Sequence, residues 1–221
     1  MMDNQANKIK PRLLNLKLFP MDLARFLCFS IPCFFRIKKI YVNDKAKKRI
    51  RYSAIISANH TSFNDPLLLG SCFWYRRMFF LTAEVVMKNK LVSILLKGVG
   101  CIKIDRNICD IESIRKAVSV LKKGHVLSLF PTGGISREDD MSAIKSGIIL
   151  MAMQAKVPII PMYIHPKSGK GDRNCVVIGE PIDTFTAGKG ATLTDISNCA
   201  DTVFEKMLEC KTIYEKYSEE K

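Results

Sequence analysis

The chain has 221 residues, 48% of them hydrophobic and 25% charged. That is enough apolar surface for one folded core, and it excludes wholesale disorder and collagen-like classes. The net charge of +14 is uneven: residues 1 to 51 carry 13 basic and 3 acidic side chains, against 22 and 18 in the rest.

A basic arm serves either nucleic acid, through phosphate contacts, or an anionic lipid surface. The stretch from Leu13 to Phe35 is dense in Leu and Phe, and aliphatic side chains between the cations argue against nucleic acid. Pro20 and Pro32 bracket one expected helix of about three turns, well short of the roughly 20 residues that cross a bilayer. Flanked by Lys8, Lys10, Arg12, Lys17, Arg36, Lys38 and Lys39, it reads as an element lying in a membrane interface. Packing on its own domain is the alternative. The expected organisation is an interfacial element over residues 1–35 and a folded domain over 36–221, with no spanning helix and no secretory cleavage site.

Within that domain short β-branched runs alternate with amphipathic segments. Strands are expected at Ile37 to Val42, Ala54 to Ala58, Met78 to Thr82, Cys101 to Ile104, Val126 to Phe130, Pro158 to Ile164 and Cys175 to Ile178. Ile111, Ile114, Val118 and Leu121 mark one helix face, and Ile144, Ile148, Met151 and Ala155 mark another. A last helix carries Ile196, Ala200, Val203, Phe204, Met207 and Leu208 on one stripe, with Thr194 as its expected N-cap. The apolar stretches Leu67 to Trp74 and Val85 to Val99 read as core or as the lining of an acyl tunnel. Trp74, Arg76 and Arg77 form an aromatic and basic group of the kind seen at membrane interfaces. The fold class is α/β: a layered domain with a mixed central sheet flanked by helices.

Eight cysteines show no C-x-x-C pair and no metal-ligand spacing with the three histidines, so no metal is expected, and free buried thiols suit a reducing cytoplasm. Chemistry is sought in the loops after strands, because open α/β sheets bind ligands at the strands' carboxyl ends. Strand 54–58 runs directly into Asn59-His60-Thr61-Ser62-Phe63-Asn64-Asp65-Pro66. A carboxylate five residues after a histidine can fix its tautomer and leave the other ring nitrogen free as a base. The bland alternative makes Asp65 the N-cap of the following helix, with Pro66 in its first turn.

Three more segments follow in order: Gly100 to Arg106, containing Ile104-Asp105-Arg106; Phe130-Pro131-Thr132-Gly133-Gly134-Ile135-Ser136; and Val157-Pro158-Ile159-Ile160-Pro161. Together with N-H-T-S-x-x-D-P, the H-x4-D block, these resemble the four blocks of the PlsC-type glycerolipid acyltransferases, the 1-acylglycerol-3-phosphate O-acyltransferase family, over residues 36 to 185.

The resemblance implies transfer of a fatty acyl group from acyl-CoA or acyl-carrier protein to the hydroxyl of a lysolipid, most simply 1-acylglycerol-3-phosphate, in phospholipid biosynthesis. His60 would be the general base and Asp65 its orienting carboxylate. No covalent acyl-enzyme is implied, and the chain has no G-x-S-x-G elbow. It also implies acceptor binding by Arg106, by the turn at Thr132 and Gly133, and by Lys145, with Arg137 able to restore charge in the third block. That block departs from the family pattern: Thr132 stands where the family has glutamate, and Gly134 with Ile135 where it has arginine. The partners implied are a membrane lipid surface, the lysolipid and the thioester donor, with no further cofactor and no nucleic acid. The location implied is peripheral or monotopic on the cytoplasmic face of a membrane. The departure leaves open an acyltransferase for another lysolipid and a non-catalytic or weakly active lipid-binding protein with a relic site. A hydrolase of lipid thioesters is the nearest alternative among enzymes.

Overall fold

Strand β2 (Ala54–Ala58) is buried over its whole length and forms the middle of a seven-stranded sheet. In the computed structural model of the protein, residues 18–24, 26, 37–105, 111–131, 146–166, 173–184 and 192–220 are described. The other strands are β1 (Lys38–Tyr41), β3 (Met78–Ala83), β4 (Cys101–Ile104), β5 (Val126–Leu129), β6 (Ile159–His165) and β7 (Cys175–Ile178). Their order across the sheet is β1-β7-β6-β2-β5-β3-β4. All neighbours run parallel except β6 and β7, which pair antiparallel. The sheet is therefore mixed, as the alternating pattern led one to expect.

Alternation along β2 sorts the two layers, since successive side chains leave opposite faces. Ile55 joins Leu127, Leu129, Ile159 and Val177 against one layer of helices: α3 (Ile111–Lys122), α4 (Ser146–Ala155) and α5 (Leu193–Glu219). Ala54, Ile56 and Ala58 face the other way with Val126, Ile160 and Met162, under Leu68, Leu69 and Cys72 of α1 (Asp65–Cys72). Strands covered on both faces read as near-continuous apolar runs, as β2, β5 and β6 do. The edge strands β1 (K-K-I-Y) and β4 (C-I-K-I) carry lysines instead, which discourages pairing with another chain.

Two helix expectations change. The N-cap of α5 is Thr192, two residues before the expected Thr194; its hydroxyl accepts from Asp195 N, and Asp195 reaches back to Thr192 N, closing a capping box. Leu208, placed on the apolar stripe by periodicity, is exposed, while Ile196, Val203, Met207 and Cys210 are buried. The buried positions recur at spacings of three, four and seven, a narrow stripe that passes through Met207 and leaves Leu208 to one side.

Trp74, Arg76 and Arg77 do not form a shared interfacial group. Arg76 donates to Tyr52 O and Gly124 O. Arg77 is almost wholly buried and makes a two-pronged ion pair with Asp22 at 2.9 and 2.7 Å. Its charge holds the helical stretch 19–24 against the domain, together with Met21, which is 3% exposed and fills the space where a Cβ on Gly100 would stand. Phe19 and Leu23 of the same stretch are exposed. The remainder of the expected helix between Pro20 and Pro32, apart from residue 26, lies outside the described residues, as does Ile144 before α4.

His125, between α3 and β5, packs its ring against Phe79 at 5.2 Å. Burial, and then the nearby Arg77, Arg76 and Lys123, push its pKa down to about 4, with Asp22 opposing. Folded His125 is thus neutral over a range in which the unfolded chain's histidine, ordinarily near 6.5, takes up a proton. Stability contributed this way is present above pH about 6.5 and is lost as pH falls towards 4. Urea unfolding midpoints measured at pH 7.5 and pH 5 are expected to fall less between the two for His125→Phe than for the wild type; equal falls would exclude this source of acid sensitivity.

Candidate active site

The loop between β2 and α1 is short, and its geometry follows from one buried carboxylate. Asp65 is fully buried. Its Oδ2 accepts from Thr61 N and Ser62 N, each at 2.8 Å, and lies 2.9 Å from His60 Nδ1. The side chain therefore reaches back into the loop and does not cap the helix: the N-cap is Asn64, with no side-chain cap bond, and Asp65 is the first helical residue, followed by Pro66. The capping alternative is excluded by where the backbone N–H groups are. Asp65 Oδ1 and Thr61 Oγ1 are buried with no hydrogen-bond partner among the described residues, so the carboxylate's bonding is concentrated in one oxygen.

A carboxylate can only accept, so the shared proton sits on His60 Nδ1 and the lone pair is left on Nε2. The ring is also held from its face: it stacks on Phe130, with centroids 4.1 Å apart and planes 17° from parallel. Its side chain is 15% exposed. A tautomer fixed from one edge and a ring fixed from one face leave an imidazole with one accessible basic nitrogen, which is the arrangement for removing a proton from a hydroxyl.

Asn59 supplies the rigidity beneath it. Its Nδ2 donates to Ile164 O at 2.8 Å, and its Oδ1 accepts from Ile164 N at 2.7 Å, so the end of β2 is tied to β6 just before the histidine. Sequence reasoning quoted Asn59 and Phe130 within their blocks but assigned neither a role. The signal available was position: each directly follows a central strand, at the carboxyl end where ligands bind.

The structure brings His60 and Asp65 together. Arg106, Thr132, Gly133, Arg137 and Lys145 lie outside the described residues. Lys103, near the end of β4, is paired with Glu84 at 2.6 Å. A cavity of about 220 Å³, bounded among others by Lys39, Tyr41, Tyr52, Cys72 and Tyr75, lies at the C-terminal end of α1 and includes neither His60 nor Asp65. The Cys72 thiol bordering it is pushed up to about 12 by burial, which leaves it protonated and unreactive as a nucleophile. No helix among the described residues is long and apolar enough to cross a membrane.

The 1-acyl-sn-glycerol-3-phosphate acyltransferase of Bacillus subtilis is 27% identical over 133 residues, covering 58% of this chain and 66% of that protein. The yeast protein of the same name, from Saccharomyces cerevisiae, is 25% identical over 201 residues, covering 80% of this chain and 63% of its own length. The chain thus spans just under two thirds of either relative. The crystal structure of the 1-acyl-sn-glycerophosphate acyltransferase PlsC from Thermotoga maritima superposes with a TM-score of 0.59 at 19% identity, over 88% of this chain and 81% of that one. At that identity the likeness speaks for the fold. The family model named Acyltransferase matches residues 39–165, more than half of the chain and the whole of the His60 to Asp65 loop. The chain belongs to the acyltransferase family.

Proposed function

We propose that the protein moves a fatty acyl group from a thioester, acyl-CoA or acyl-carrier protein, to the free hydroxyl of a lysophospholipid, with 1-acyl-sn-glycerol-3-phosphate as the first candidate acceptor. The observation that carries this reading is the bond from His60 Nδ1 to buried Asp65 beside the ends of parallel strands. The names of the relatives support the choice of acceptor.

In the proposed reaction His60 Nε2 takes the proton of the lysolipid hydroxyl as its oxygen attacks the thioester carbonyl. The tetrahedral intermediate collapses by breaking the carbon–sulfur bond, and the imidazolium returns its proton to the departing sulfur. The products are the diacyl lipid and a free thiol. Asp65 holds the ring throughout and stabilises the imidazolium between the two transfers, the part that a buried carboxylate plays beside a catalytic histidine elsewhere. In this reading Arg106, Lys145 and the turn at Thr132 and Gly133 bind the acceptor's headgroup, and Arg137 adds charge there. Since Thr132 stands where the family pattern has glutamate, headgroup choice is the open part of the reading.

The test is thiol release from acyl-CoA with a mixed lysolipid extract, the products read by mass spectrometry. Release that depends on added lysolipid, with acyl label appearing in a diacyl phospholipid, is expected. Release at the same rate without acceptor would indicate a thioester hydrolase. No release with any acceptor or donor would indicate a lipid-binding protein that keeps the fold without the chemistry.

A further inference from the structure

One leucine-rich amphipathic helix of the protein buries none of its residues. Helix α2 (Lys90–Gly98, K-L-V-S-I-L-L-K-G) has no buried residue, although its sequence led to the expectation of core or tunnel lining. Leu91 is 78% exposed, and Ile94, Leu95 and Val92 stand out beside it. The 3-10 turn just before it, Glu84–Met87, adds Val85 and Val86, also exposed. The helix owes its start to a cap and not to packing: Asn89 Oδ1 accepts from Leu91 N and Val92 N. An amphipathic helix ordinarily turns its apolar stripe to the core, and a contiguous exposed apolar patch marks a surface made to meet something else.

Strand register says where this patch is. Ser128 of β5 pairs with Ile56 of β2 on one side and with Phe80 of β3 on the other. Ala83, three residues past Phe80, is therefore level with Asn59, three past Ile56. The apolar turn thus begins at the same end of the sheet as His60. Phe63 and Leu67, in and after the catalytic loop, are exposed there too. At the other end of α2, a Cβ on Gly98 would lie 3.6 Å from Pro20 Cβ, so the stretch with exposed Phe19 and Leu23 adjoins the same helix.

We propose that the turn 84–87 and helix α2 form a docking face for an anionic lipid bilayer, which begins at the His60 end of the sheet and runs back along the flank of β3 and β4, so that the His60 loop opens beside the membrane. The occupant is argued from charge. Lys88, Lys90 and Lys97 border the apolar side chains, and none makes an ion pair among the described residues. A second copy of the chain would bring those three cations face to face, whereas acidic headgroups complement them. The proposal rests on the acyltransferase reading only in giving the bilayer a purpose, since a lysolipid acceptor reaches His60 from the surface that α2 touches. It assigns the contact to a segment well inside the folded domain, separate from the basic N-terminal stretch.

The test uses the full chain and vesicles of phosphatidylcholine with and without phosphatidylglycerol, read by co-sedimentation. The wild type is expected to bind the mixed vesicles more tightly than the neutral ones. The triple variant Leu91→Gln, Ile94→Gln, Leu95→Gln, whose positions bury nothing in the fold, is expected to bind at least about tenfold more weakly. Its thiol release with short-chain, monomeric acyl-CoA and lysolipid is expected to equal the wild type's. In Ile94→Trp, the added fluorescence is expected to be quenched by brominated lipids. Equal vesicle binding by wild type and triple variant, or unquenched Ile94→Trp in vesicle-bound protein, would overturn the docking face, and so would a dimer that the triple variant dissociates. Turnover on monomeric substrates reports on the acyltransferase reading by itself, so failure of one does not pass for failure of the other.

Discussion

His60→Ala is expected to lower kcat for lysolipid-dependent thiol release by about 10² to 10⁴-fold, the usual contribution of a positioned general base, while the protein remains folded. The structural reason for the second half is that the ring stands in a loop after β2, partly exposed, with Phe130 as its ring partner among the described residues. Losing that stack costs about 0.5–1.5 kcal/mol, a small part of the stability of a domain this size. His60→Phe is the useful companion, since it keeps a ring for Phe130 and has no basic nitrogen. If both variants melt near the wild-type temperature and both lose turnover, the nitrogen is responsible. Normal turnover in folded His60→Phe would remove the histidine from the mechanism.

Substitutions at Asp65 separate two duties that one oxygen performs. Asp65→Asn can keep an oxygen where Oδ2 now accepts from Thr61 N, Ser62 N and His60 Nδ1. Its amide NH2 then occupies the buried site of Oδ1, which has no acceptor among the described residues. If the amide turns the other way, it donates to His60 Nδ1 and shifts the proton to Nε2, the wrong tautomer for a base. Either way the negative charge that steadies the imidazolium is gone. Loss of the orienting carboxylate beside a catalytic imidazole costs up to about 10⁴ in kcat, and a fall of at least about 10² is expected here. Asp65→Ala leaves the two loop N–H groups unpaired as well, at about 1–3 kcal/mol for each such group that ends up buried. The alanine variant should therefore lose stability that the asparagine variant keeps, at comparable or lower activity. Near-wild-type kcat in Asp65→Asn would reduce Asp65 to a loop acceptor.

Much of the architecture was readable in the chain because burial on both faces leaves a plain mark. The central strands are near-continuous apolar runs, and all seven expected strands stand within a residue or two of their observed limits. The pair His60 and Asp65 was readable for a different reason: five residues of one loop are too few to separate them by much. What it is to hold them together was not. Whether Asp65 caps the helix after it or gathers the loop before it depends on the direction of one side chain, and residue type suits both.

Contacts distant in the chain were the second thing beyond reach. Asn59 meets Ile164 across 105 residues, and His60 meets Phe130 only because β2 and β5 are neighbours. Periodicity describes a segment's own faces and is silent about which strand lies beside it. The same limit explains buried Arg77, whose partner Asp22 lies 55 residues away in the chain.

Residue order alone settled the alternation of strands and helices and the closeness of a histidine to a carboxylate, because each is a property of a short window. Only the folded arrangement decided which proton the histidine keeps, what its ring rests on, and that α2 keeps its leucines outside. Hydropathy measures how strongly a segment prefers to leave water, and the surface that receives it is set by every other element at once.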